Sequence, residues 1–186
     1  PDEFKCAIVF PLFKKGDSSM CDNYRGISFI SPIAKIFERL LSEQITHYFE
    51  ISLGDSLFTS CQHGFRRNFS CETAIQSILN DWKIAIDSKK TILSLFIDFK
   101  KAFDLVDQHL LWLKLFHYGF SNSSLDLISN YFTSRSQITR IDKSYSSKSP
   151  IKLGVPQGSI LGPLFFLIFI NDLAFVNDLA LVLFAD

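Results

Sequence analysis

The stretch Ile92-Leu-Ser-Leu-Phe-Ile-Asp98-Phe-Lys-Lys-Ala-Phe103-Asp104-Leu-Val-Asp107 decides the fold class. Its first six residues are apolar and β-prone apart from Ser94, which predicts a buried strand with Asp98 at its end. A second such run, Leu179–Ala185, leads into Asp186. A carboxylate ending a buried strand is costly unless it is paired or holds a cation. Neighbouring strands lie about 4.8 Å apart, and paired metal ions in phosphoryl-transfer sites lie about 3.5–4 Å apart. Aspartates on adjacent strands could therefore share a metal pair. Asp104 cannot join Asp98 on one ion, because six residues span about 20 Å if extended and about 9 Å, on different faces, if helical. Asp107 reads as a helix N-cap and Asp104 as a partner in a local hydrogen bond or salt bridge. Taken alone, Asp98 is more readily a structural carboxylate than a metal ligand.

Around this stretch the chain is 186 residues long, 47% hydrophobic and contains 20 phenylalanines. That composition excludes a disordered segment and allows one domain or two small lobes with a sizeable core. The formal net charge is zero, so the chain as a whole carries no electrostatic argument for nucleic acid. Locally, Arg135, Arg140, Lys143, Lys148 and Lys152 face only Asp142, and nothing after Lys152 is basic. This stretch could track a nucleic-acid backbone or form a solvated hairpin, and the sequence favours neither. Cys6, Cys21, Cys61 and Cys71 show no close pairing, which points to free thiols rather than to a zinc site at Cys61, His63 and Cys71. The run Leu164–Ile170 is far short of the roughly 20 residues a membrane span needs, and no secretory signal is visible. We expect an intracellular protein, in nucleus or cytoplasm, neither secreted nor in a membrane. The start on Pro1 and the stop on Asp186 lead us to expect a piece of a longer protein.

Cys6–Phe10 reads as a short strand. Ser31-Pro32 then opens a helix whose apolar face is Ile33, Ile36, Phe37, Leu40 and Leu41. A second helix begins near Ser70, with Glu72 in its first turn and a buried stripe of Ile75, Ile78, Leu79, Trp82 and Ile86. A third spans about Asp107 to Tyr118 and stops at Gly119, and a fourth spans Ser124–Phe132. Short strands follow at Ser136–Tyr145 and Pro150–Leu153. A very apolar helix then runs to about Asn171, and the strand Leu179–Asp186 closes the chain. Helices and strands that do not strictly alternate predict an α+β fold.

Gly154-Val-Pro-Gln157-Gly158-Ser159 places an amide between permissive glycines ahead of that last helix. Free backbone N–H groups there could receive a phosphate or sugar. A tight turn with Ser159 as N-cap explains the same residues. Gln62-His63-Gly64-Phe65-Arg66-Arg67 sets paired arginines beside a glycine turn, which suits phosphate contacts as well as plain solvation. Asn23-Tyr24-Arg25-Gly26 is a similar, weaker signal.

Five blocks occur in one order: Asn-Tyr-Arg-Gly-Ile-Ser (23–28), Gln-His-Gly-Phe-Arg (62–66), Asp-Phe-Lys-Lys-Ala-Phe-Asp (98–104), Gly-Val-Pro-Gln-Gly-Ser-Ile-Leu-Gly-Pro (154–163) and Leu-Phe-Ala-Asp (183–186). Together they resemble the fingers and palm of a reverse transcriptase from a non-LTR (LINE-type) retrotransposon, over nearly the whole chain. The resemblance implies a right-hand polymerase arrangement with an antiparallel palm sheet packed on helices. The fingers-like region would be 1–89 and the palm-like region 90–186, with about 107–153 free to pack with the fingers, the palm cut short and the thumb absent.

The resemblance also implies roles. Asp98 matches the first catalytic aspartate and a ligand of two Mg²⁺ ions (or of Mn²⁺ in their place), with the Phe99 carbonyl as an extra ligand. Asp186 matches the first aspartate of the Phe/Tyr-Ala-Asp-Asp signature and the other main ligand. Phe103 matches the aromatic residue that excludes a nucleotide 2′-hydroxyl. Gln157 and Gly158 match the loop that contacts the incoming nucleotide and template, and Arg66 and Arg25 match the grip on the triphosphate. Implied partners are an RNA template, a DNA primer and dNTPs. Gly26 stands where many relatives carry proline, and the second aspartate of the signature would follow Asp186. On this reading the chain alone should be inactive. A decayed, non-catalytic binding module and a Mg²⁺-dependent phosphohydrolase built on Asp98 are the alternatives.

Overall fold

The computed structural model describes residues 2–51, 57–175 and 180–184. It is a mixed α/β fold of five helices and one mixed sheet. β1 (Cys6–Phe13) pairs antiparallel with β2 (Tyr24–Phe29) and parallel with β3 (Ser136–Ile141). β3 turns back through Asp142, at φ 52°, into β4 (Ser144–Tyr145), and also pairs with β5 (Ser149–Pro150). The sheet therefore joins segments from both sides of residue 90. Its β1–β3 pairing is parallel and its other three pairings are antiparallel. Pro11 is tolerated inside β1 because pairing to β3 ends at Val9, so no second ladder needs its missing N–H.

Helix ends form where local chemistry places them. α1 (Pro32–Ile51) starts on Pro32, whose fixed φ and missing N–H suit the first helical position. α2 (Cys71–Asp87) is capped by Ser70, which accepts the Thr73 N–H, while Thr73 accepts the Ser70 N–H. Asp107 caps α3 (Gln108–His117) through the Leu110 N–H, and Gly119 follows at φ 85°. Ser121 caps α4 (Asn122–Phe132), two residues ahead of the expected start. α5 (Leu161–Ile170) is buried along most of its length. Ser159 accepts the Gly162 N–H, the contact of an N-cap, although helical dihedrals begin at Ile160.

The core forms where α5 packs on α1 and α3, and α3 on α4. Phe49, Leu111, Leu115, Leu161, Phe165 and Ile168 are fully buried in it. Phe49 stacks on Phe58 with centroids 4.7 Å apart and meets Tyr118 and Phe120 edge-on or tilted.

Two amphipathic faces differ from expectation. On α1 the buried residues are Ala34, Glu38, Ile45 and Phe49, whereas Ile33, Ile36, Phe37 and Leu40 lie exposed. The two faces are about 140° apart around the helix axis. Ile45 and Phe49 dock in the aromatic cluster, and a straight helix then carries their azimuth to its N-terminal half, where Ala34 and Glu38 fall on the same side. On α2 only Ala74 is buried, and Ile75, Leu79 and Ile86 of the expected stripe are exposed. Capping fixes where that helix begins; nothing among the described residues covers its long apolar side.

The expected strand at Ile92–Ile97 does not form. Residues 91–99 have no regular structure, and Leu93 is 97% and Leu95 82% exposed. β-propensity cannot hold a strand that has no ladder partner. Of the expected closing strand, Leu183 makes an isolated parallel bridge with Gln62, and residues 185 and 186 lie outside the described residues.

Candidate functional site

The Gly154–Gly158 loop is wedged between the turn at Phe103–Val106 and strand β2. The Gly154 N–H donates to the Val106 carbonyl at 2.8 Å, and the Val155 N–H to the Phe103 carbonyl at 2.9 Å. Gln108 Nε2 donates to the Gly154 carbonyl at 3.0 Å. Gly154 sits at φ 82°, and a Cβ built on it would lie 2.7 Å from the Asp104 carbonyl and 2.8 Å from Asp104 Cα. Only glycine fits such an approach. On the loop's other side the Ser28 N–H donates to the Gln157 carbonyl at 2.8 Å, and Gly158, at φ 101°, leaves no room for a Cβ against the Ser28 carbonyl.

These contacts gather Phe103, Gln157 and Gly158, which the chain separates by more than fifty residues. Phe103 is half-buried, stacked on Phe166 at 4.9 Å and edge-on to Phe65 at 5.9 Å. Its ring is held by two others, so it can present a fixed edge. Gln157 Nε2 donates to Asp104 Oδ1 at 2.9 Å. Asp104 thus makes a hydrogen bond, but to a residue far away in the chain. Lys101 pairs with Asp22 at 3.0 Å and ties the same segment to the β1–β2 connection. That pairing holds the Asp22 carboxyl below its ordinary range and raises the Lys101 ammonium.

The other candidates stand elsewhere. Asp98 and Phe99 are exposed in the unstructured run, and no hydrogen bond or ion pair engages Asp98 among the described residues. Asp186 lies outside the described residues. Among the described residues no group of three His, Cys, Asp or Glu is placed to hold a metal. An uncommitted carboxylate is nonetheless the donor type that Mg²⁺ takes, and one or two suffice when phosphate and water fill the remaining positions. Arg25 is exposed on β2.

Arg66 turns inward. Its Nη1 donates to the Thr59 carbonyl at 2.7 Å, and its guanidinium lies 4.4 Å over the Phe69 ring and 5.4 Å over that of Phe58. The loop that it braces holds the end of the chain: the His63 N–H donates to the Leu183 carbonyl, and the Leu183 N–H to that of Cys61, each at 2.8 Å. The buried His63 ring is bonded through Nδ1 to Thr73 Oγ1 at 2.9 Å, and burial and the Arg66 charge lower its pKa.

The basic stretch also divides. Arg135 is 5% exposed, with Nε donating to the Tyr131 carbonyl at 2.9 Å and Nη2 4.0 Å from Glu38. It cannot track a backbone, because its charge is inside the protein facing a carboxylate. Arg140 donates to the Asp142 carbonyl and lies over Phe10 and Tyr145 at 5.6 and 5.4 Å. Lys143, Lys148 and Lys152 are exposed.

Sequence reasoning missed Glu38. Its Oε1 accepts from Tyr131 Oη at 2.8 Å and its Oε2 from the Ile160 N–H at 2.7 Å, so it joins α1, α4 and the start of α5. Desolvation raises the Tyr131 hydroxyl far above its ordinary range. The available signal was spacing: Glu38 lies four residues after Ala34 and seven before Ile45, in phase with the aromatic half of the helix.

The sequence matches the family described as reverse transcriptase (RNA-dependent DNA polymerase) over residues 13–186. In Drosophila melanogaster it is 30% identical over 178 residues to a "Probable RNA-directed DNA polymerase from transposon BS", covering 95% of this chain and 19% of that protein. It is 28% identical over 174 residues to the "RNA-directed DNA polymerase from mobile element jockey", covering 93% and 19%. A "Putative COX1/OXI3 intron 1 protein" of Saccharomyces cerevisiae is 30% identical over 115 residues, covering 59% and 12%. The chain spans about a fifth of the length of the transposon relatives. The order of its motifs and the match along nearly all of its length lead to one conclusion: the chain belongs to the reverse transcriptase family, with relatives in non-LTR retrotransposons.

Proposed function

We propose that this chain supplies the fingers-like and palm-like parts of an RNA-directed DNA polymerase that adds dNTPs to a primer 3′-OH on an RNA template. The observation that carries the reading is the junction of Phe103, Gln157 and Gly158 against β2. It gathers an aromatic edge, an amide and a glycine turn in one place, within a chain of this family. Phe103, fixed between Phe65 and Phe166, would exclude a 2′-hydroxyl by contact. Gln157 would hydrogen-bond the nucleotide, and the bare Gly158 backbone would allow its close approach. Arg25, open to solvent on β2, suits the triphosphate better than Arg66, whose guanidinium is committed to a backbone carbonyl.

Asp98, the Phe99 carbonyl and Asp186 would hold two Mg²⁺ ions, with Mn²⁺ as a substitute. When bound, such ions supply the charge that activates the attacking oxygen and steadies the leaving pyrophosphate. Arg140, Lys143, Lys148 and Lys152 remain as groups for a template backbone, which would make binding salt-sensitive. The chain by itself should not sustain polymerisation.

The test is primer extension on an RNA template with Mg²⁺, using the chain expressed together with whatever coding sequence follows it in its gene. Asp98→Asn should reduce extension by about a thousandfold, matching several kcal/mol of lost charge stabilisation. Undiminished extension would remove Asp98 from its role.

A further inference from the structure

We propose that Asp104 is a positioning residue for Gln157, holding the side-chain amide in one orientation before a nucleotide arrives. The inference rests on the nucleotide-handling role proposed above for Gln157. Gln157 Nε2 donates to Asp104 Oδ1 at 2.9 Å across 53 residues of chain. Both ends of this bond are pinned by backbone. The Phe103 and Val106 carbonyls take the Val155 and Gly154 N–H groups, Gly154 rests against the Asp104 backbone without space for a Cβ, and the Ser28 N–H holds the Gln157 carbonyl. Lys101, whose charge also acts with that of Asp104, is itself bonded to Asp22, so the Asp104 carboxylate is left to the amide.

Two physical consequences follow. A glutamine side chain free in solvent has rotamer freedom that a ligand must freeze, and a charged partner removes part of that cost beforehand. A carboxylate only accepts hydrogen bonds, so the amide must turn its nitrogen to Asp104 and its Oε1 away from it. The outward oxygen is then an acceptor, matched to a hydroxyl or N–H of a nucleotide, while the second Nε2 hydrogen remains free to donate. A mobile Gln157 would present either end.

The proposal is tested by Asp104→Leu, with Asp104→Asn as the variant that keeps an oxygen acceptor. In primer extension by the extended chain, Asp104→Leu should raise the KM for dNTP about tenfold with little change in kcat. Asp104→Asn should return KM to within about twofold of the parent, and the double variant with Gln157→Leu should be no worse than Gln157→Leu alone. Unchanged KM in Asp104→Leu, or effects that multiply in the double variant, would overturn the assignment. A second measurement needs no activity. In the ¹⁵N-labelled chain the two Gln157 side-chain amide protons should be well separated in chemical shift, and Asp104→Leu should collapse them to the values of a free amide. Gln157 signals unmoved by Asp104→Leu would sink the positioning role even in an active polymerase. If they move as expected and extension is absent from the parent, only the polymerase reading fails.

Discussion

Residues 92–98 end five residues before the junction of 103–106 with 154–158 begins, yet the two regions are physically opposite. The first is the more strand-like in sequence and has no secondary structure, with Leu93, Leu95, Phe96 and Ile97 in solvent. The second is rich in turn residues and is closely fitted, with backbone bonds on both sides and two glycines at positive φ. Propensity says what a segment can become; partners decide whether it does. The junction found its partners far along the chain, Val106 and Phe103 for Gly154 and Val155 and Ser28 for Gln157, whereas the strand-like run found none among the described residues. The candidate site inherits this division, with Phe103 and Gln157 in the formed part and Asp98 in the open part.

The largest way to break the comparison is to pry the junction apart. Gly154→Val places a side chain at positive φ, 2.7 Å from the Asp104 carbonyl. It should cost the chain about 3 kcal/mol or more in urea unfolding, through backbone strain and overpacking together. A cost below about 1 kcal/mol would mean that the loop can leave its seat. Phe103→Ala, which removes the ring between Phe65 and Phe166, should cost about 2 kcal/mol, less than a fully buried phenylalanine because Phe103 is half-exposed.

A pH series asks whether the end of the chain is held at the Gln62–His63 loop. Burial and Arg66 lower the folded-state pKa of His63 below its unfolded value of about 6.5. The unfolded chain then binds more protons in acid, so stability should be complete above about pH 6.5 and decline below it. His63→Asn should flatten that decline, and a parent and variant with equal slopes would show that His63 is not held neutral. The smallest effect belongs to the open run. Leu95→Ser should shift the unfolding free energy by less than about 0.5 kcal/mol, as for other exposed sites. A cost of 2 kcal/mol would show that the run is covered after all.

Much of the local structure was legible. Ser70, Asp107, Ser159 and Gly119 mark helix ends because capping is settled within four residues of chain. The buried face of α1 was not legible. Ile33, Ile36, Phe37 and Leu40 make a better stripe on paper than Ala34, Glu38, Ile45 and Phe49. The Phe49–Phe58 stack chose the second set, and a period of 3.6 residues cannot report which of two apolar sides meets the core. Arg66 and Arg135 illustrate the same gap for charge. A sequence shows that an arginine is present, not whether it faces solvent or an aromatic ring and a carbonyl.

Sequence alone determined the family, through five short blocks in one order, and it determined the caps and glycine turns that only particular residues can form. It also singled out Phe103, Gln157 and Gly158. Tertiary structure alone decided that Gln157 meets Asp104, that Leu183 pairs with Gln62 rather than with a strand at 92–97, and that Glu38 is buried between Tyr131 and the first turn of α5. The reason is range. Caps and turns draw their hydrogen bonds from the residues beside them, whereas these contacts join positions 53 to 122 residues apart, and local sequence does not encode which distant group will arrive.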